Sequence, residues 1–119
     1  MDIVIAGGST AVRTGLCLEL SAVAGWRVVG ETDGAAGVAR LLLRHRPDVL
    51  VLDLDVPRGA EPVSLASIVA LRPGTPVVAI GTGDARPHAL RALKAGAVSY
   101  VPKVAVNRDL VAAVRRAGS

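Results

Sequence analysis

The sequence predicts an α/β domain, a parallel β-sheet with helices on both faces. Three observations carry this expectation. Five apolar runs of strand length recur, Ile3–Ala6, Val28–Gly30, Val49–Leu52, Val77–Ile80 and Val98–Val101, spaced about 20 to 28 residues apart, which is the period of a strand-loop-helix unit. Each is followed by a stretch with helical character, and such alternation builds a parallel sheet with crossover helices. The chain is 51% apolar with no Phe, one Trp and one Tyr, so its core must be aliphatic, as in sheets buried on both faces.

The elements follow in order. After the first strand, Ser9 or Thr10 can cap a helix running through Ala24, because a hydroxyl at that position accepts from the free N–H groups of the first turn. Gly34 to His45 supports a second helix, with Val38, Leu41, Leu42 and His45 on one face, and Pro47 stops it. A third helix is expected to start near Glu61–Pro62, where proline suits the first turn, and to end before Arg72–Thr75. The fourth runs from about Arg86 to Ala95 and stops at Gly96. The last begins after Asn107 as N-cap, with Asp109 in its first turn and Arg115 and Arg116 near its end, all favourable to the helix dipole.

At 119 residues the chain fits a single domain, 1–119, able to bury a core without disulfides or metal. The single Cys17 reads as a small buried hydrophobe without a role of its own. No apolar run approaches the ~18 residues of a membrane span, so no membrane contact is expected and the chain reads as cytoplasmic. The net charge is +4, but Arg13, Arg27, Arg40, Arg44, Arg46, Arg58, Arg72, Arg86 and Arg91 are scattered. They form no stripe of the kind a DNA footprint requires, and read as solvated helix faces. His45 and His88 lie on different helices without Cys or carboxylate at ligand spacing, so no metal site is expected there. Trp26, before the second strand, is placed near the surface.

In an open parallel sheet, ligands bind beyond the carboxyl ends of the strands, where the strand order reverses. The residues there are Gly7 and Gly8, Glu31 to Asp33, Asp53 to Pro57, Gly81 to Asp84, and Pro102–Lys103. Within this set, "VLDLDVPRG" at 51–59, "LRPGTPVVAI" at 71–80 and "ALRALKAGAVSYVPK" at 89–103, with "AVRTGLCLEL" and "WRVVGETDG" earlier, resemble the receiver domain of bacterial response regulators, most of all the NarL/FixJ type. The resemblance covers nearly the whole chain. It implies a flavodoxin-like (βα)5 three-layer sandwich with five parallel strands in the order 2-1-3-4-5.

The resemblance also implies roles. Asp53 stands at the phosphoacceptor position and Lys103 at that of the lysine that pairs with it. Tyr100 stands where an aromatic changes rotamer on activation, and Pro57 matches the proline of the loop after the acceptor. The main-chain carbonyl of Asp55 falls at a magnesium-ligand position. The departures are as informative. Gly7 and Gly8 occupy the places of the acidic pair that ordinarily follows the first strand. Mg2+ is typically anchored by one or two carboxylates, and phosphoryl transfer needs its charge, so Mg2+ binding is expected to be weak or absent and no cofactor is assigned. Gly81 replaces the Ser or Thr that bonds the phosphoryl group, although Thr82 would substitute if the strand end shifted by one residue. Pro102 precedes Lys103, where many receivers carry a proline after it.

Without the acidic pair, Asp53 and Lys103 are expected to pair directly as a polar staple, with Tyr100 an ordinary half-buried aromatic whose hydroxyl reaches the surface. Asp55 and Asp84 read as loop or cap residues, Asp55 being the candidate auxiliary ligand. The leading functional expectation is a phosphorylation-independent receiver, not an enzyme, acting through a homodimer or an output domain on the face from Arg86 to Arg116. DNA would be reached only through an output domain outside this chain, and a histidine kinase is a doubtful partner. Two alternatives stand beside it: a working phosphoreceiver on Asp53, and a nucleotide or small-ligand domain using the Gly7–Gly8 loop, whose N–H groups precede a helix. "GGSTAVRTG" is neither G-x-G-x-x-G nor a Walker loop.

Overall fold

The fold is that of a computed structural model describing residues 1–55, 64–83 and 85–119. The elements are β1 (Asp2–Ala6), α1 (Thr10–Ser21), β2 (Arg27–Thr32), α2 (Ala35–His45), β3 (Val49–Asp53), α3 (Leu65–Leu71), β4 (Val77–Gly81), α4 (Ala85–Lys94), β5 (Ser99–Pro102), a 3-10 turn (Lys103–Ala105) and α5 (Val106–Ala117). All strand pairs are parallel, and the sheet order is β2-β1-β3-β4-β5. This is the flavodoxin-like order expected above.

Strand alternation divides the core into two layers, since successive side chains leave a strand on opposite faces. Ile3, Ile5, Val49, Val51, Val78 and Ile80 pack with Leu16 and Leu20 of α1 and with Leu110, Ala113 and Val114 of α5. Val4, Ala6, Leu50, Leu52, Val77 and Ala79 pack with Val38 and Leu42 of α2, Leu65 and Ile68 of α3, and Ala92 of α4. By the same alternation Asp53 continues the Val49–Val51 row, toward the α1/α5 layer. Among the described residues no helix is long and apolar enough to cross a membrane.

Several boundaries differ from expectation. Helix α1 ends at Ser21 and not at Ala24, because Val23 N–H turns back to Leu20 O and Trp26 N–H to Val23 O, with Gly25 at φ +83° reversing the chain into β2. Ser9 is its N-cap, accepting from Val12 N–H at 3.2 Å. Strand β2 is longer than Val28–Gly30, and a register shift between Ile3 and Val4 interrupts its pairing with β1. Val98 precedes β5 and is half exposed. Helix α5 starts at Val106, not after Asn107: the 3-10 turn begins directly at Lys103, and Val106 N–H closes it on Lys103 O, leaving Asn107 inside the first turn. Helix α2 matches its expected span, closed by Arg46 at φ 45°. Helix α3 is capped by Ser64, and the expected start at Glu61–Pro62 lies outside the described residues, as do Pro57, Arg58 and Asp84.

Candidate functional site at the carboxyl edge of the sheet

The ends of β1, β3 and β4 and the turn after β5 bring Gly7, Gly8, Asp53, Asp55, Thr82 and Lys103 together. Asp53 closes β3 with its side chain fully buried. Its Oδ1 accepts from Asp55 N–H at 2.9 Å, and its Oδ2 makes an ion contact with Lys103 Nζ at 2.8 Å that is not an aligned hydrogen bond. The pairing expected of these two residues is thus present, but Lys103 has a second partner: Asp55 Oδ2 lies 2.7 Å from the same ammonium. The other oxygen of Asp55 accepts from Thr82 N–H at 3.3 Å and Thr82 Oγ at 3.1 Å. Asp55 is therefore more than a loop residue, since it ties the end of β3 to the ends of β4 and β5.

Charge accounts for the titration of this cluster. Burial alone would raise the Asp55 pKa, but hydrogen bonds from Lys103 and Thr82, with the ammonium charge, outweigh it and hold the carboxyl below its ordinary value. Burial alone would lower the Lys103 pKa, and the two carboxylates more than reverse that, leaving it raised. Removing one member of such a cluster strands the others in a poorly solvated place.

The glycine pair lies directly against Asp53. Gly7 and Gly8 have φ of +83° and +72°, a region L-residues with a Cβ avoid. A Cβ on Gly7 would overlap the main-chain oxygen of Asp53, and one on Gly8 would overlap Asp53 Oδ2. The loop is held from the other side by Arg13, which is buried although charged. Its Nη1 donates to Gly8 O at 2.8 Å and Gly7 O at 3.4 Å, its Nη2 to Thr10 Oγ1 at 3.3 Å, and its Nε to Glu31 Oε1 at 3.3 Å. Gly7 N–H, one donor a phosphate cradle would offer, is given to Thr32 O at 2.9 Å. Sequence reasoning missed Arg13 because it counted arginines as solvated. The signal was its place on the α1 face shared with Leu16 and Leu20, at i, i+3 and i+7.

Gly81 is buried at the end of β4, and Thr82 follows it outside the strand. A Cβ on Gly81 would stand 2.8 Å from Tyr100 Oη. The ring is half-buried, as expected, and the hydroxyl lies over this glycine and donates to Gly83 O at 3.5 Å, with the ring edge-on to His88 at 6.4 Å. Cys17 is half-buried rather than buried, and its thiol donates to Glu31 Oε2 at 3.3 Å. Trp26 packs partly against the core under Arg115, whose guanidinium stands 5.3 Å from the ring centroid. Among the described residues no three His, Cys, Asp or Glu side chains converge as metal ligands. Two cavities flank the site, of about 420 Å3 between β4 and α4 and about 270 Å3 between α1 and α5, and neither is lined by Gly7 or Gly8.

A model of the response regulator receiver domain matches residues 3–115. The oxygen regulatory protein NreC of Staphylococcus epidermidis is 33% identical over 116 residues, covering 97% of this chain and 53% of NreC. The response regulator GacA of Pseudomonas aeruginosa is 29% identical over 105 residues, covering 88% of this chain and 49% of GacA. The chain thus spans about half the length of the curated relatives it matches. Among solved structures, the signal receiver domain of NarL from Mycobacterium tuberculosis superposes with a TM-score of 0.82 at 27% identity, over 98% of this chain and 94% of that one. A LuxR-family regulator from Aurantimonas gives 0.84 at 26% identity, over 97% and 82%. With the strand order and the Asp53–Lys103 pair in place, the chain belongs to the response regulator receiver family, as a receiver domain of the NarL/LuxR kind.

Proposed function

We propose that this receiver works as a regulatory interaction module without Mg2+-dependent phosphorylation of Asp53. The observation that carries the reading is the covering of the Asp53 carboxylate: it has no exposed surface, with Lys103 against one oxygen and the Gly8 backbone packed too closely to admit even a methyl group. A phosphodonor needs in-line access to that oxygen, and a transferred phosphoryl group needs cationic charge to balance it. The cluster already places two carboxylates against one ammonium, so added phosphate charge requires a divalent cation. The residues do not fit one. Gly7 and Gly8 bring no carboxylates, their backbone fills the space beside Asp53, and Asp53 and Asp55 are both engaged by Lys103.

The working surface we assign to it is the face made by α4, β5 and α5. Leu90, Leu93 and Val98 are exposed there among Arg86, Arg91 and Lys94, a combination suited to a second copy of the chain or an output domain. In the whole protein, which in relatives is about twice this length, that output would be a DNA-binding domain, making it a transcription regulator.

The test is a thermal melt with and without Mg2+ and beryllofluoride, an aspartyl-phosphate mimic, beside an ordinary receiver. A mimic present at ~100 times its Kd stabilises by about 2.7 kcal/mol, a shift on the order of ten degrees for a domain of this size. No shift is expected here. A shift that vanishes in Asp53→Asn would establish the phosphoreceiver reading instead.

A further inference from the structure

Three donors from two different strand ends converge on one carboxylate at this site. Lys103 Nζ comes from the turn after β5, and Thr82 supplies its N–H and its hydroxyl from the end of β4; all three meet the Asp55 carboxylate, at 2.7, 3.3 and 3.1 Å. An ammonium, an amide and a hydroxyl arranged around one point form a binding site for a small oxyanion. The site is filled by a group of the chain itself. Asp55 can reach it because its N–H is anchored on Asp53 Oδ1 at 2.9 Å, which fixes the start of the loop after β3.

The geometry points to Asp55 as a tethered anionic ligand, a carboxylate that permanently occupies an oxyanion site formed by Lys103 and Thr82 and so fixes Thr82 and Gly83 beyond the end of β4. This rests on the reading that Asp53 is not phosphorylated, and deepens it by naming what takes the place of an external anion. The consequence runs outward along the chain. With Thr82 held, Gly83 is positioned so that its carbonyl accepts from Tyr100 Oη and its backbone lies under the His88 ring. His88 belongs to α4, whose outer residues form the surface assigned above. Pinning Thr82 therefore holds Gly83 against His88 of that helix, without any bound effector.

The experiment follows the backbone amide resonances of Thr82 and Gly83 in the 119-residue chain while sodium formate, a free carboxylate of the same charge as Asp55, is added at constant ionic strength without Mg2+. In the unaltered chain formate should move neither resonance, because the site is full. In Asp55→Ala both should shift, the Thr82 amide upfield as its hydrogen bond is lost, and millimolar formate should titrate them back toward their original positions. Lys103→Met in the Asp55→Ala background should abolish that recovery.

Rescue by a free anion separates a ligand role from a merely structural one, which formate would not restore. An equal response in the unaltered chain, or no response in Asp55→Ala, overturns the proposal. Should Asp55→Ala fail to fold, Asp55→Asn keeps the acceptor oxygen and removes the charge. The Thr82 resonance should then stay near its place while that of the Lys103 ammonium moves, and an unmoved ammonium overturns the proposal. The beryllofluoride melt with its Asp53→Asn control reads adduct formation on Asp53, whereas the formate titration, run without Mg2+, reads Thr82 and Gly83, so the two failures are told apart.

Discussion

Placing a methyl group at Gly8 tests the covering of Asp53 most directly. Holding a residue with a Cβ in the left-handed region costs roughly 1–2 kcal/mol, and Gly8 sits there at φ +72°. Gly25 has a similar φ of +83° with nothing within 4 Å of its would-be Cβ, so Gly25→Ala should cost that amount alone. At Gly8 the added carbon overlaps Asp53 Oδ2 and stands only 2.9 Å from its Cγ. To make room the carboxylate must swing away from Lys103. Disrupting a buried pair costs about 3–5 kcal/mol, and Lys103 keeps Asp55 as a partner, so the low end applies. Gly8→Ala should then destabilise by about 4–5 kcal/mol in total, some 3 kcal/mol more than Gly25→Ala. Urea denaturation measures both, read from the midpoint at unchanged m-value. In an Asp53→Ala background the overlap with the carboxylate disappears, and Gly8→Ala should fall to near the Gly25 cost. Equal losses at the two glycines, or a Gly8 cost that ignores Asp53, would refute the claim that the loop closes on Asp53.

Other expectations follow from the same structure. Gly15 is an exposed residue inside α1 with open space around its would-be Cβ, so Gly15→Ala should stabilise the domain by about 0.8–1 kcal/mol in the same urea assay. The Lys103 cluster should define a plateau of stability against pH. The Asp55 carboxyl is held below its ordinary value of 3.8, so its contribution is present above that value and lost as acid carries the pH down through the folded pKa. Lys103 is held above 10.5, so its contribution is complete below that value and lost as the pH rises through the folded pKa. Denaturation across pH should show stability falling at both ends, and Lys103→Met should flatten both flanks. Burial, with the hydrogen bond to Glu31, pushes the Cys17 thiol up to about 11 from 9.0. Its thiolate fraction at mildly alkaline pH is then roughly 100-fold lower than in the unfolded chain, offset about tenfold by greater nucleophilicity. Iodoacetamide should modify folded Cys17 about tenfold more slowly than the chain in urea.

The fold was legible because its determinants are periodic. The aliphatic runs fix the strands, and their alternation fixes which side chains enter each layer, so Ile3 and Ile5 had to face away from Val4 and Ala6. Boundaries were legible only where one residue dominates, as Ser9 does at the start of α1 and Arg46–Pro47 at the end of α2. At the start of α5 a good capping residue, Asn107, lost to a longer-range requirement. Lys103 must stay at the end of β5 to meet Asp53, so the chain turns there at once and the helix begins before Asn107 is reached.

The site was legible as a list of residues and not as an arrangement. Position beside a strand end is a property of the sequence, whereas the choice of partner is decided by which side chains arrive at the same point. Asp53 and Lys103 could be paired on paper because the receiver resemblance puts them at strand ends that meet at the carboxyl edge of the sheet. The role of Asp55 could not, because it depends on Thr82, whose hydroxyl became available only because β4 ends at Gly81 and the chain bends there. Gly81 itself was read as a missing side chain. Its consequence is positive: the space it leaves is taken by the Tyr100 hydroxyl, which a Cβ at this position would crowd at 2.8 Å. The same holds for Gly7 and Gly8. They bring no carboxylates, and it is the freedom of glycine to adopt positive φ that lets the loop fold down onto Asp53, with Arg13 fastening its carbonyls. Adding carboxylates here is therefore not enough to build a metal site, since Gly7→Asp and Gly8→Asp introduce the charge together with a Cβ that the closed loop cannot hold. A metal-binding variant would first have to open that loop, which means releasing Arg13 from the two glycine carbonyls.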